Sequence, residues 1–327
     1  MTRAIVLFTR DLRVHDHAAL RAAVDAAPEV VPLFVFDGEL RRQRSTAREI
    51  FLLEGLADLR DALRERGGEL VLRHGDPVDE ALRVAHATGA NLVFVGEDAS
   101  PYAKRRQERL ERACRSERIQ LSVENTIAAV APGELVPAER DHYRVFTPYW
   151  RRWRELPLPP PLDAPSRVTV PAEISGGTLP SGPTKMSGGE RPARLRLDEW
   201  LRSGLHDYDS ARGDLARDGT SRLSPYLHFG CISAGEVVAR ARDHGDSGDE
   251  FVRQLCWRDF YLQLLAGNPQ TVVHDLHERD GDWSDDDGAL AAWAAGSTGY
   301  PIIDAAMRQL RAEGGYTTAP AFSSARS

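Results

Sequence analysis

The hydrophobic pattern of this chain changes period once, and that change constrains the fold more than any other feature. Within the first 130 residues, short apolar runs alternate with amphipathic stretches. Ala4–Phe8, Val30–Phe36, Glu69–Arg73, Asn91–Val95 and Ile119–Val123 read as strands: short, rich in Val, Ile and Leu, and ended by Asp, Gly or Asn. Between them, Ala18–Ala26, Ala47–Arg66, Val78–Ala87 and Ala103–Ser116 read as helices. The second is clearest, because Ile50, Leu53, Leu56, Leu59 and Leu63 recur at helical spacing and Gly67–Gly68 stops it. Strands alternating with helices specify a doubly wound, parallel, five-stranded α/β sheet over residues 1–130.

The alternation then ceases. Residues 131–193 read as an interdomain linker, dominated from about Pro157 by Pro, Gly and Ser and running over the surface, partly mobile. From 194 to the end the pattern is helical only, over Arg194–Ser203, Ser233–Asp243, Asp249–Leu265 and Tyr300–Glu313, which implies an all-α second domain. The acidic run Asp285–Asp287 reads as a solvated loop.

Several function classes are excluded or disfavoured. No apolar run approaches the roughly 20 residues of a membrane helix, so no membrane is expected as partner. Cys114, Cys231 and Cys256 are too scattered for a metal knuckle or a disulfide framework, which points to a reducing cytoplasm. His15, His17, His74 and His86 lack metal-ligand spacing, and no metal is expected. The turn Thr9-Arg10-Asp11-Leu12-Arg13 carries neither G-x-G-x-x-G nor a P-loop, so no conventional nucleotide site follows the first strand. The net charge of −7 argues against indiscriminate nucleic-acid binding but permits a local basic groove. Nearly all cations are arginine, as a GC-rich genome would give.

Three segments carry candidate chemistry. In Asp249–Leu265, Gln254, Trp257, Arg258 and Tyr261 fall at i, i+3, i+4 and i+7 and share a face. That face could receive a planar base or an anion; a Trp packed at an interface beside a salt-bridged Arg is the plainer alternative. In Asp218–Gly230, Thr220, Ser221 and Ser224 surround Arg222 just before a Pro-started helix. Hydroxyls and free N–H groups there could hold a phosphate, or could simply cap the helix. In Tyr143–Arg154, basic and aromatic residues interleave, as in a single-strand nucleic-acid site or an interdomain clasp.

With these motifs together, the chain resembles the photolyase–cryptochrome family. LFTRDLRVHDHAAL, YRVFTPYW, DGTSRLSPYLHFG, QLCWRDFY and TGYPIIDAAMRQLRAEG match family segments in order, to about Gly314. The resemblance implies an α/β antenna domain, a linker and a helical FAD-binding domain. It places Tyr208 and Thr220-Ser221-Arg222-Leu223-Ser224 on the FAD, Arg258 near the flavin, and Gln254 and Trp257 against a flipped lesion with Trp257 as its stacking wall. Arg212 and the helix Gln254–Tyr261 would contact DNA, and Trp283 would be the surface end of an electron-transfer chain. The implied activity is that of a deoxyribodipyrimidine photolyase acting as a monomer: excited reduced flavin donates an electron to a cyclobutane pyrimidine dimer, the ring splits, and the electron returns. A blue-light photoreceptor of cryptochrome type, or an inactive fragment, is the alternative.

Three departures from the family pattern qualify this expectation. Many dimer-repairing members carry Glu where Gln254 stands, and an amide cannot act as an acid or an anion. Ser100-Pro101-Tyr102-Ala103 lacks the Asn-Glu pair of folate-binding members, so a deazaflavin antenna, or none, is expected before folate. The tail GGYTTAPAFSSARS has no helical period and no family match. Codons for it, regrouped in a neighbouring frame, can read WIHNRARLLVGSF, which is family-like. The expectation is a frameshift near Gly314, leaving the FAD domain incomplete and its hold on FAD weak.

Overall fold

The computed structural model describes residues 2–41, 46–180, 187–214, 217, 219–277 and 285–313. In the first half, β1 (Arg3–Phe8), α1 (Ala18–Ala26), β2 (Glu29–Phe36), α2 (Gly38–Arg41), α3 (Thr46–Arg64), β3 (Val71–His74), α4 (Pro77–Thr88), β4 (Leu92–Gly96), α5 (Pro101–Ser116) and β5 (Gln120–Glu124) follow in order. The strands form one parallel sheet, β3-β2-β1-β4-β5. The order reverses at β1, so the crevice between the carboxyl ends of β1 and β4 is the topological switch point.

Alternation along β1 divides the core. Ala4, Val6 and Phe8 face one layer with α1 and α3, while Ile5 and Leu7 face the other with α4 and α5. The first layer continues without a break into the helical half, through Trp153, Leu197, Val237 and Phe260. The third strand begins at Val71, two residues later than its apolar run suggests. Glu69 is held by Arg60 and Arg64 at the end of α3, and those ion pairs keep it outside the ladder.

The Pro-rich segment is pinned along its described length. Val30 N donates to Thr169 O at 2.8 Å and Leu72 N to Gly176 O at 2.8 Å. Through the second bond the linker covers the open edge of β3, where unpaired amides would otherwise invite strand addition. Val168, within this segment, is buried.

The helical half comprises α6 (Phe146–Trp153), α7 (Glu190–Glu199), a π-helical turn (Trp200–Gly204), α8 (Tyr208–Ala211), α9 (Ser224–Phe229), α10 (Ala234–Arg242), α11 (Asp246–Gly267), a 3₁₀ turn (Pro269–Val272), α12 (Asp287–Ala295) and α13 (Pro301–Glu313). Two differences from the sequence reading have clear causes. The helix expected from Arg194 starts at Glu190, because Gly189 takes φ 126° and turns the chain into it. Asp285–Asp287 is not a loop throughout: the Asp286 carboxylate caps α12 by accepting from Ala289 N at 3.0 Å, and Asp287 is the first helical residue. That helix is Ala-rich, with Leu290 and Trp293 its only large apolar residues, so it shows no apolar stripe to read.

The halves are locked together by charge. Arg13 is only 1% exposed and donates to Gly230 O at 3.1 Å and Thr126 O at 2.8 Å. Gly230, with φ 65°, lets α9 end against β1's loop; a Cβ there would lie 2.0 Å from Arg10 O. Glu190 accepts from the amides of Val14 at 2.7 Å and His15 at 3.0 Å.

Candidate flavin and DNA site

Tyr208 opens α8 and is buried between two aromatic edges: Trp200 at 5.5 Å and Phe251 at 5.5 Å. Burial raises the pKa of its phenol. The preceding π-helical turn widens the backbone where Trp200 swings inward, a distortion often found beside functional sites. One turn on, Arg212 lies 5.8 Å from the Tyr208 ring and donates to Glu250 of α11 at 2.7 Å. Gln254 donates to the same Glu250 oxygen at 3.3 Å. Arg212 and Gln254, singled out separately in the sequence, are thus joined through one carboxylate, and Arg212 in turn lies against the Tyr208 ring. Sequence reasoning missed Glu250, although its i−4 spacing from Gln254 was a usable signal.

The loop 219–224 packs against α8. Gly219 makes this possible, since a Cβ there would come within 2.5 Å of Ala211 O. Thr220 and Ser221 are half-buried, Leu223 is buried, Ser224 is exposed, and Arg222 takes φ 54°. Asp218 lies outside the described residues. The capping alternative fails here. The cap residue of α9 is Leu223, and no side chain caps that helix. Ser221 Oγ instead accepts from Leu223 N at 3.3 Å, inside the loop. Hydroxyls and first-turn amides are therefore presented together, with no carboxylate among 219–224. That donor set fits the phosphates of a dinucleotide such as FAD.

Helix α11 supplies the remaining candidates. Trp257 is half-buried and Tyr261 is 57% exposed beside it, with ring centroids 5.5 Å apart. Arg258 is engaged by backbone. Its guanidinium donates to Ile127 O at 2.8 Å and Leu227 O at 3.3 Å, tying α11 to the end of the α/β half and to α9. Burial pulls its pKa below the ordinary arginine value. Helical spacing gave the direction of the Arg258 Cβ correctly; the long side chain then bends toward two carbonyls that the sequence could not locate.

Next to it, Asp259 is fully buried and accepts from Val130 N at 2.9 Å and Trp153 Nε1 at 3.1 Å. Burial pushes its carboxyl up to about 6 despite the neighbouring Arg258. The aromatics of Tyr143–Arg154 resolve as a clasp, with Phe146, Tyr149 and Trp153 buried. Arg144, Arg151 and Arg152 of the same segment are exposed. Trp283 lies outside the described residues, as does everything from Gly314 on. Among the described residues there is no cluster of His, Cys, Asp and Glu able to hold a metal, and no helix long and apolar enough to cross a membrane.

Comparison with known proteins decides the family. Residues 4–166 match the DNA photolyase domain, and residues 251–318 match the FAD-binding domain of DNA photolyase. A deoxyribodipyrimidine photo-lyase of Streptomyces griseus is 44% identical, over 96% of this chain and 72% of its own length. The chain belongs to the DNA photolyase family. A second photo-lyase of the family, from Halobacterium salinarum, is 34% identical over 93% of this chain and 70% of its own length. The crystal structure of a bacterial class III photolyase from Agrobacterium tumefaciens superposes with a TM-score of 0.89 at 28% identity, covering 98% of this chain and 70% of that one. The parallel sheet and helical half are thus the family's architecture, and the second domain is an FAD-binding domain.

Proposed function

We propose that this chain binds FAD between α8, the loop 219–224 and α11, and repairs cyclobutane pyrimidine dimers in DNA with light. The observation that carries the reading is the junction of Arg212 and Gln254 through Glu250, with Arg212 against the Tyr208 ring, beside a loop whose hydroxyls are not spent on capping. Family membership with named photo-lyases supports the reaction class.

In this reading Thr220, Ser221 and Ser224 hold phosphate and ribityl oxygens, and Tyr208 closes the apolar side of the pocket. The flavin supplies the photoexcited electron when bound. The chain's own residues do the rest. Trp257 offers an aromatic plane for a flipped pyrimidine, and base stacking on such a plane is worth about 1–3 kcal/mol. Gln254, oriented by Glu250, hydrogen-bonds the edge of the base; an amide there donates and accepts but carries no charge. Arg212 has a side chain 38% exposed and lies at the edge of this surface, where DNA phosphate would compete with Glu250 for its guanidinium. The protein acts as a monomer.

The antenna lies in the α/β half, at the β1–β4 switch point, and is of deazaflavin rather than folate type. Ser100 caps α5 there, and Tyr102 donates its hydroxyl to Asp37 across the sheet's carboxyl edge.

The test is direct. Supplied with reduced FAD and blue light, the chain removes cyclobutane dimers from a thymine oligonucleotide and leaves the other major ultraviolet lesion intact. Dimers that persist equally in light and dark, with FAD bound, contradict the reading.

A further inference from the structure

Phe146 stacks face to face on Trp257, with centroids 3.6 Å apart and planes 6° from parallel. This is the tightest aromatic contact among the described residues. An indole has two faces, and this contact covers one of them. Phe146 is itself only 7% exposed, so it cannot be a ring waiting to leave. It opens α6, whose next turns are anchored by Tyr149 at 1% and Trp153 at 0% exposure. Phe260 meets both rings edge-on, Phe146 at 5.7 Å and Trp257 at 5.6 Å. Arg253 lies 5.7 Å from the Phe146 ring. Trp257 is therefore held on one face by Phe146 of α6 and edge-on by Phe260 of α11, with the 57% exposed Tyr261 ring inclined 27° to it at 5.5 Å.

We propose that Phe146 is a positioning residue: it backs Trp257 so that the remaining indole face stands ready as a stacking wall for the damaged base. This rests on the reading of Trp257 given above. It also assigns a task to the aromatic clasp, which the reaction otherwise leaves unused. A half-buried Trp without backing samples several rotamers, and each unproductive one must be given up on binding. A parallel aromatic neighbour removes that cost before the DNA arrives. The same contact predicts that damaged and undamaged strands are affected differently. Arginine contacts to phosphate serve both strands, whereas the stacking wall serves only the flipped lesion.

The experiment measures dissociation constants of the full chain, with FAD, for one single-stranded thymine oligonucleotide with and without a single cyclobutane dimer. The quantity of interest is their ratio. Trp257→Ala lowers the ratio about 30-fold. Phe146→Leu, which keeps apolar volume but removes the ring, lowers it about fivefold while the undamaged strand binds as before. Phe146→Tyr keeps the ring and keeps the ratio within about twofold. The double variant Phe146→Leu, Trp257→Ala loses no more than Trp257→Ala alone, since no wall remains to be positioned. Melting temperatures of all variants separate folding from positioning.

A normal ratio for Phe146→Leu beside a reduced one for Trp257→Ala overturns the inference and leaves the proposed function standing. A Tyr variant that loses as much as the Leu variant also overturns it, because the ring is then not what matters. An unchanged ratio for Trp257→Ala removes the underlying reading of that residue, and this inference with it.

Discussion

Among the described residues two aspartates are completely buried, one in each half, and their ionisation is driven in opposite directions. In the α/β half, Asp11 accepts from Thr9 N at 2.7 Å and from Thr126 Oγ1 at 2.9 Å, using both oxygens. His17 Nε2 lies 3.4 Å away, and the ring caps α1 with its other nitrogen, accepting from Leu20 N at 3.0 Å. Burial alone would raise the Asp11 pKa, but these partners and the buried Arg13 hold it at about 2. In the helical half, Asp259 receives both of its hydrogen bonds on Oδ2. Its Oδ1 has no hydrogen-bond partner and only a 3.7 Å approach from Arg258. Burial then wins, and the carboxyl rises to about 6. Equal burial gives opposite results because a desolvated charge is settled by how many of its lone pairs are met. The first half meets both oxygens of its buried aspartate, whereas the second leaves one carboxylate oxygen unmet beside its candidate site.

The largest effect expected from this contrast is on Asp11. Asp11→Ala strands the Thr9 amide, the Thr126 hydroxyl and the His17 ring in the core, and costs about 3–5 kcal/mol in denaturant unfolding. A loss below about 1 kcal/mol breaks the comparison on its first side. The pH dependence has a definite sign. With a folded pKa of about 2 against an ordinary 3.8, Asp11 stabilises the fold above about pH 4, and that stability is lost as pH falls toward 2.

Arg258 comes next. Its guanidinium joins Ile127 O and Leu227 O and is the nearest cation to Asp259. Arg258→Met leaves two carbonyls and a carboxylate unmet, at about 2 kcal/mol, again read by denaturant unfolding.

The smallest effect is on Asp259, and its sign is reversed. A carboxyl raised from 3.8 to about 6 binds its proton more tightly in the folded state, so stability declines as pH rises from about 4 to 6 and stays lower above that. Asp259→Asn keeps an acceptor for Val130 and Trp153 and removes the charge. It should leave stability at pH 7 unchanged or improve it by about 1 kcal/mol, and flatten the decline between pH 4 and 6. A variant that is clearly destabilised at pH 7 would mean that the Arg258 pair outweighs the desolvation.

The same contrast explains what was legible in the sequence. The sheet half was read almost element by element, because parallel strands are apolar on both faces and their helices carry strong stripes. The order of the candidate segments and their family resemblance were equally plain. What escaped was set by long side chains and by contacts far apart in sequence. Helical spacing put Arg258 on the Trp257 face, yet its head binds carbonyls 131 and 31 positions away. The clasp and the nucleic-acid readings of Tyr143–Arg154 could not be separated, since burial of Trp153 depends on Asp259, which lies 106 positions on. Serine and threonine before α9 looked like caps until the backbone put Leu223 in the capping position.

Hydrogen exchange of the full chain, with and without FAD, tests the central claim most directly. Binding at the proposed site slows amide exchange in 208–212, 219–227 and 250–258 together, and leaves the central strands of the sheet unchanged. Protection confined to the β1–β4 crevice, or absent from the loop 219–224, would contradict the account.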